Sequence, residues 1–115
     1  MAYVPQRGDI VHLTFDPASG QEMQGPHFGL VLSAKAFNDS GLAMICPISQ
    51  GLASDARTRG LVVSLMGSGL HTQGAVHCHQ MKSHDWRMRR AQFKEKVPMP
   101  LVNDIAARVE SIISE

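Results

Sequence analysis

The chain has 115 residues, 43% of them hydrophobic and 18% charged, with a formal net charge of +1. That length supports one core, and that composition excludes a disordered or collagen-like chain. The small net charge gives no global field for nucleic acid, and two cysteines (Cys46 and Cys78) are too few for a disulfide scaffold. No apolar run reaches membrane-span length, and Met1 to Arg7 contain no apolar signal core. A mature protein in a reducing, cytoplasmic setting, with no membrane partner, is the expectation.

In chain order, Gly8-Asp9 marks a turn, and Ile10 to Phe15 reads as a strand with Ile10 and His12 on one face and Val11 and Leu13 on the other. Asp16-Pro17 ends it, and residues 16 to 27 form a long loop of a kind that is usually functional. Phe28 to Leu32 reads as a buried strand, and Ala34 to Phe37 as a helical turn before the turn cluster Asn38 to Gly41. Leu42 to Ile45 is the next strand, ended by Pro47. A second loop covers 49 to 60 and contains Arg57 and Arg59. Leu61 to Leu65 is a strand, Gly67-Ser68-Gly69 a turn, and Gly74 to Ser83 a further strand. On that strand, alternation puts His77, His79 and Met81 on one face and Val76, Cys78 and Gln80 on the other. The tail carries the clearest helix, about four turns long, with one apolar stripe through Leu101, Val102, Ile105, Ala106, Val109, Ile112 and Ile113. Pro98 and Pro100 stand at its start, where a missing N–H costs nothing. About five strands and one C-terminal helix predict a mainly β, α+β domain spanning 1 to 115, a small barrel-like sheet with the helix packed on it.

Charge is unevenly spread. Lys82, Arg87, Arg89, Arg90, Lys94 and Lys96 crowd into fifteen positions, opposed only by Asp85 and Glu95. Such a block is either a polyanion footprint or a solvated irregular surface. Trp86 inside it offers either a base-stacking face or a core anchor for the tail. Six histidines are present, and His77-Cys78-His79 is the sharpest feature. Two imidazoles at i and i+2 on a strand suit metal binding, acid–base chemistry, or merely the polar face of an edge strand. Cys78 would be a nucleophile only if exposed, whereas alternation buries it. No Cys-x-x-Cys or His-Glu-x-x-His supplies further metal ligands, and Ser49 lies in no Gly-x-Ser-x-Gly elbow.

Several segments together resemble the MazF/PemK/Kid family of bacterial toxin ribonucleases, including its ChpB-like branch. Arg7-Gly8-Asp9-Ile10-Val11 is similar to the family's opening strand, and Asp16-Pro17-Ala18-Ser19-Gly20-Gln21-Glu22 to its DPxxGxE loop. Gly29 to Ser33 with Ala36-Phe37-Asn38 matches the second strand and turn, and Pro47-Ile48-Ser49-Gln50-Gly51 resembles PITxG. Val76-His77-Cys78-His79-Gln80 falls on the VxxDQ strand, and Trp86-Arg87-Met88-Arg89 resembles xWRAR. The resemblance runs from about residue 3 into the last helix.

It implies an SH3-like barrel plus C-terminal helix, acting as a homodimer. It also implies metal- and cofactor-free cleavage of single-stranded RNA, in which a 2′-hydroxyl attacks the adjacent phosphate to leave a 2′,3′-cyclic phosphate and a 5′-hydroxyl. A cognate antitoxin with an acidic, disordered tail would cover the RNA groove. The chain departs from the family at the charged positions. His27-Phe28 replaces Arg-Pro, Gln21 replaces a first-loop His of Kid-like members, and His77 and His79 replace their Arg and Asp. Carried onto this sequence, the catalytic set is His27, Ser49, His77 and His79, and the RNA-binding set is Gln21, Gln80, Lys82, Arg87 and Arg89. The alternatives are a family member that binds RNA, DNA or an antitoxin without cutting, and a relative of the gyrase poisons that share the barrel.

Overall fold

The computed structural model describes residues 2–50 and 60–114. Strands β1 (Asp9–Thr14), β2 (Pro26–Val31), β3 (Leu42–Ser49), β4 (Val62–Ser64), β5 (Ala75–His77), β6 (Lys82–Asp85) and β7 (Gln92–Lys96) form one antiparallel sheet. Its order is β4-β5-β3-β2-β1-β7, with β6 also on β3. A one-turn helix α1 (Lys35–Asn38) joins β2 to β3, and α2 (Met99–Ile113) closes the chain. The mainly antiparallel sheet with one C-terminal helix is what the sequence predicted.

Both faces of the sheet are apolar at its centre. Ile10, Leu30, Cys46, Ile48 and Val76 line one face and are covered by Val102 and Ile105 of α2. Val11, Leu13, Val31, Ala43 and Ile45 line the other, with Phe15 and Trp86. Alternation along β1 explains the division. His12, on the Ile10 face but beyond the reach of α2, stays exposed. The helical stripe is buried at Val102 and Ile105, but Ile112 and Ile113 are exposed, because the helix outruns the surface it packs on.

Two polar hubs fasten the sheet. Buried Asn38 donates to the carbonyls of Pro5 (2.8 Å) and Ser33 (3.0 Å), and its own carbonyl accepts the Trp86 indole N–H at 2.7 Å. Trp86 is thus a core anchor rather than a stacking face, and it anchors α1 rather than the tail. Asp9 accepts from Tyr3 Oη (2.6 Å) and the Gln6 N–H (2.9 Å), and Lys96 Nζ lies 2.5 Å from its other oxygen. This ties the N-terminal arm and β7 to the start of β1.

The structure revises three elements. Strand β3 does not stop before Pro47 but runs through it to Ser49. One edge of β3 pairs with β2 throughout, at Val31↔Ile45 to Phe28↔Ile48. The other edge pairs with β6 up to Ile45↔Lys82 and with β5 from Ile48↔Val76. The Leu32 N–H bonds the Met44 carbonyl, so even-numbered β3 residues bond β2 and Pro47 faces the other edge. Pro47 therefore sits where that edge changes partner, and its lack of an N–H costs no ladder bond. Opposite this gap the expected continuous strand from Gly74 to Ser83 breaks into β5, a 3₁₀ turn (Cys78–Gln80) and β6. Finally, the basic block is not irregular surface: it contains β6 and β7, and β7 pairs with β1.

Removing the Asn38 side chain leaves two carbonyls without donors. Asn38→Ala is expected to lower unfolding free energy by about 2–3 kcal/mol in urea titration. His84 is buried with both ring nitrogens lacking a hydrogen-bond partner, and its ring meets that of Phe15 edge to face with centroids 5.0 Å apart. Burial, then the positive charges of Arg89 and Lys82, pushes its pKa from 6.5 down to about 4. The unfolded chain therefore binds the proton more readily, and stability should fall as pH drops from 6.5 towards 4, then level off. The slope approaches about 1.4 kcal/mol per pH unit for one site. In His84→Phe, unfolding midpoints measured across that range should lose this component.

Candidate active site

Three strands bring three of the four expected catalytic side chains together. One step beyond the last β2–β3 register pair, Phe28↔Ile48, His27 comes abreast of Ser49. On the other flank of Ser49 lies β5, ending in His77. Ser49 Oγ and His77 Nε2 are 2.8 Å apart. The hydroxyl donates when Nε2 is unprotonated and accepts when Nε2 carries the proton. His77 is buried, held between β3 and β4, where it pairs with Val62.

His79 is placed by the 3₁₀ turn rather than by strand alternation. Its ring centroid is 5.7 Å from that of His77, and its side chain is exposed. The fourth expected catalytic residue therefore joins the group. Cys78 between them points into the core, 1% exposed, and burial pushes its thiol up to about 11. That closes the nucleophile reading, since the thiolate is the reactive form. Among the described residues, no cluster of three metal-ligating side chains is found.

His27 and Ser49 line a groove of about 470 Å³ together with His12, Phe28, Gln50 and Gln73 among others. Its size is that of a small-ligand pocket. A second hollow of about 580 Å³ under the turn from Met66 to Leu70 adjoins it, sharing Gln50 and Gln73. The wall at Gln73 is fixed from β7. The Glu95 carboxylate accepts from the His71 N–H (3.1 Å), the Thr72 N–H (2.7 Å) and the Thr72 hydroxyl (2.5 Å). Burial raises the pKa of this carboxyl, but those bonds outweigh it and hold the group below its ordinary range. Gly74 follows with φ +112°, and a Cβ there would stand 2.5 Å from the Ser49 carbonyl oxygen. Only glycine lets β5 approach Ser49 this closely.

The expected RNA-binding residues are placed differently. Gln80 and Gln21 meet each other: Gln80 Oε1 accepts the Met23 N–H at 2.7 Å, and its Nε2 donates to the Gln21 carbonyl at 3.4 Å. Gln80 thus faces the loop and not, as alternation suggested, the buried side. Lys82 lies 3.5 Å from Glu22. Arg89 donates to the carbonyls of Thr14 (2.8 Å) and Asp16. Arg87 stacks over Trp86 at 4.6 Å and donates to the Asp39 carbonyl at 3.3 Å. That is the start of β3, about 23 Å of strand away from Ser49. Arg57 and Arg59 lie outside the described residues. Sequence reasoning did not select His12, Phe28 and Gln73. The first two form the cross-strand pair His12↔Phe28, with ring centroids 5.0 Å apart.

The family model for the PemK-like, MazF-like toxin of type II toxin–antitoxin systems matches residues 6–113. The chain is 34% identical over 110 residues to the endoribonuclease PemK of Escherichia coli, covering 95% of this chain and 82% of that one. It is 36% identical over 109 residues to the endoribonuclease toxin ChpB of Escherichia coli, covering 94% and 93%. Its fold is similar to that of MazF from Deinococcus radiodurans, with a TM-score of 0.86, 30% identity, and 97% and 98% of the two chains covered. It is also similar to a chain of the MazE–MazF complex from the same organism, with a TM-score of 0.81, 31% identity and 97% coverage of both chains. On the family match over residues 6–113 and these relatives, the chain belongs to the PemK-like, MazF-like toxin family of type II toxin–antitoxin systems.

Proposed function

We propose that this protein is the toxin of a type II pair and an endoribonuclease that cuts single-stranded RNA at short sequences. The observation that carries the site assignment is the line His27–Ser49–His77, with His27 and Ser49 lining the groove and His79 beside His77. Transfer of a phosphoryl group to the neighbouring 2′-oxygen needs a base at that oxygen, an acid at the leaving 5′-oxygen, and a donor for the phosphoryl oxygens between them. Strands β2 and β5 flank β3 on opposite sides, so His27 and the His77–His79 pair stand on opposite sides of Ser49.

In the proposed reaction His79, the exposed member of the pair, takes the 2′-hydroxyl proton. The 2′-oxygen forms its bond to phosphorus as the bond to the 5′-oxygen breaks, and His27 protonates that oxygen. His77 holds the Ser49 hydroxyl, which donates to a phosphoryl oxygen. The products are a 2′,3′-cyclic phosphate and a 5′-hydroxyl, and no metal or other cofactor takes part. His27, His77 and His79 thus take over the work that arginine and aspartate do in the relatives the sequence resembles.

The whole chain acts as one toxin unit in this reading, in the cytoplasm and as a homodimer. A cognate antitoxin with an acidic, disordered tail occupies the groove in its resting state. Solved structures similar to this chain include MazE–MazF complexes, which supports a partner of that kind. No helix among the described residues is long and apolar enough to cross a membrane.

The deciding experiment incubates the purified protein, in EDTA, with a long single-stranded RNA and maps new 5′ ends. Discrete cuts with 5′-hydroxyl ends are expected, whereas intact RNA would mean a family member that binds without cutting. His77→Ala with His79→Ala should abolish cleavage, and full activity in that double variant would remove the histidine mechanism. Loss of one phosphoryl-oxygen donor in Ser49→Ala should lower kcat about 10²-fold. The pH–rate profile should be bell-shaped, as a base and an acid in opposite protonation states require.

A further inference from the structure

The β1–β2 loop, residues 15–25, connects the core strand β1 to His27, and its shape is fixed from outside as well as within. Internally, the Phe15 N–H donates to the Gly25 carbonyl (2.8 Å), the Gly25 N–H to Asp16 Oδ1 (3.0 Å) and the Ser19 N–H to Glu22 Oε1 (2.9 Å). Externally, the loop is held at three points by the stretch that follows β5. At its base, Arg89 spans two carbonyls, those of Thr14 and Asp16. At its crest, the Gln80 carboxamide uses both of its ends, accepting from Met23 N–H and donating to the Gln21 carbonyl. Between these, Lys82 pairs with Glu22, both nearly half exposed, which makes this the weakest of the three.

We infer that Gln80 and Arg89, with a lesser part for Lys82, form a clamp that presets the loop leading into His27. Their contribution to the proposed reaction is to position that loop, not to touch RNA. The inference rests on the endoribonuclease reading for its catalytic consequence but not for the clamp itself. Arg89 makes both carbonyl bonds through Nη1, so turning that nitrogen to a phosphate would leave two carbonyls without their donor. Gln80 likewise commits its Oε1 and Nε2 to the loop. The basic block that reads as a polyanion footprint is thus divided. Arg89 and Lys82 hold the chain's own loop, and Arg87 holds the α1 turn. A clamped loop meets its substrate already ordered, so the ordering cost is absent from binding.

The test measures two things on the full-length protein and its Gln80→Ala, Gln80→Glu and Arg89→Gln variants. The first is amide hydrogen exchange of the loop by NMR, without RNA. The Met23 amide should exchange about tenfold or more faster in Gln80→Ala, and stay slow in Gln80→Glu, whose carboxylate still accepts. The second is cleavage of long single-stranded RNA as a function of salt. Gln80→Ala and Arg89→Gln should raise KM about three- to tenfold with kcat little changed. The slope of log kcat/KM against log salt should remain that of the parent protein, because no phosphate contact is lost. A Met23 amide at its parental rate in Gln80→Ala overturns the clamp. A slope shallower by about 0.7 in Arg89→Gln overturns it for Arg89 by assigning a phosphate contact. Should the parent protein leave RNA intact, the endoribonuclease reading falls, and the exchange measurement still decides the clamp.

Discussion

One missing hydrogen governs the architecture. Pro47 gives strand β3 no N–H on the edge away from β2, so a continuous neighbour along that edge would leave a carbonyl without its ladder donor. The neighbouring chain answers by leaving the sheet for a single 3₁₀ turn, Cys78–Gln80, and rejoining it as β6. Everything chemically distinctive follows from that detour. His77 ends β5 against Ser49, His79 swings out beside it, Cys78 drops into the core, and Gln80 reaches across to the β1–β2 loop. A straight strand would have kept His77 and His79 on one face but aimed Gln80 into the interior.

The groove is shaped in part by groups outside its lining. Glu95 on β7 fixes the segment before Gln73, and Gly74 removes the Cβ that would push Ser49 away. Arg89 and Gln80 hold the β1–β2 loop that leads into His27. Rigid strands supply the floor while side chains committed to backbone groups fix the two connecting segments, an arrangement in which loop position is held by hydrogen bonds rather than by apolar burial.

The sequence carried much of this. The C-terminal helix, the strands β1 and β2 and the meeting of His27, Ser49, His77 and His79 were all legible, the first from periodicity and the last from motifs. The detour was not, because Pro47 reads as a strand stop unless the partner of each edge is known. β7 escaped because Gln92 to Lys96 is nearly all charged or polar, with Phe93 half exposed, and its strand identity comes from pairing with β1. The intramolecular partners of the basic block were hidden for a related reason: net charge reports how many cations a segment has, not which carbonyls they hold. His12 and Phe28 became visible as a pair only through register, which no local pattern encodes.

The pairing of β1 with β7 has a bearing on how a lethal protein is made. Asp9 to His12 lie against Gln92 to Lys96, and Val102 and Ile105 then cover the core. The sheet is closed by contacts between the two ends of the chain, a topology that folds slowly because long loops must be closed before any pairing stabilises them. During synthesis from the N-terminus, β1 remains an open edge and the core stays uncovered until the last fifth of the polypeptide has emerged. Ribosome-bound fragments that already contain His27, Ser49, His77 and His79 therefore lack the lid and the edge that give those residues a fixed geometry. Those residues acquire a fixed geometry only once β7 and the helix have joined the sheet.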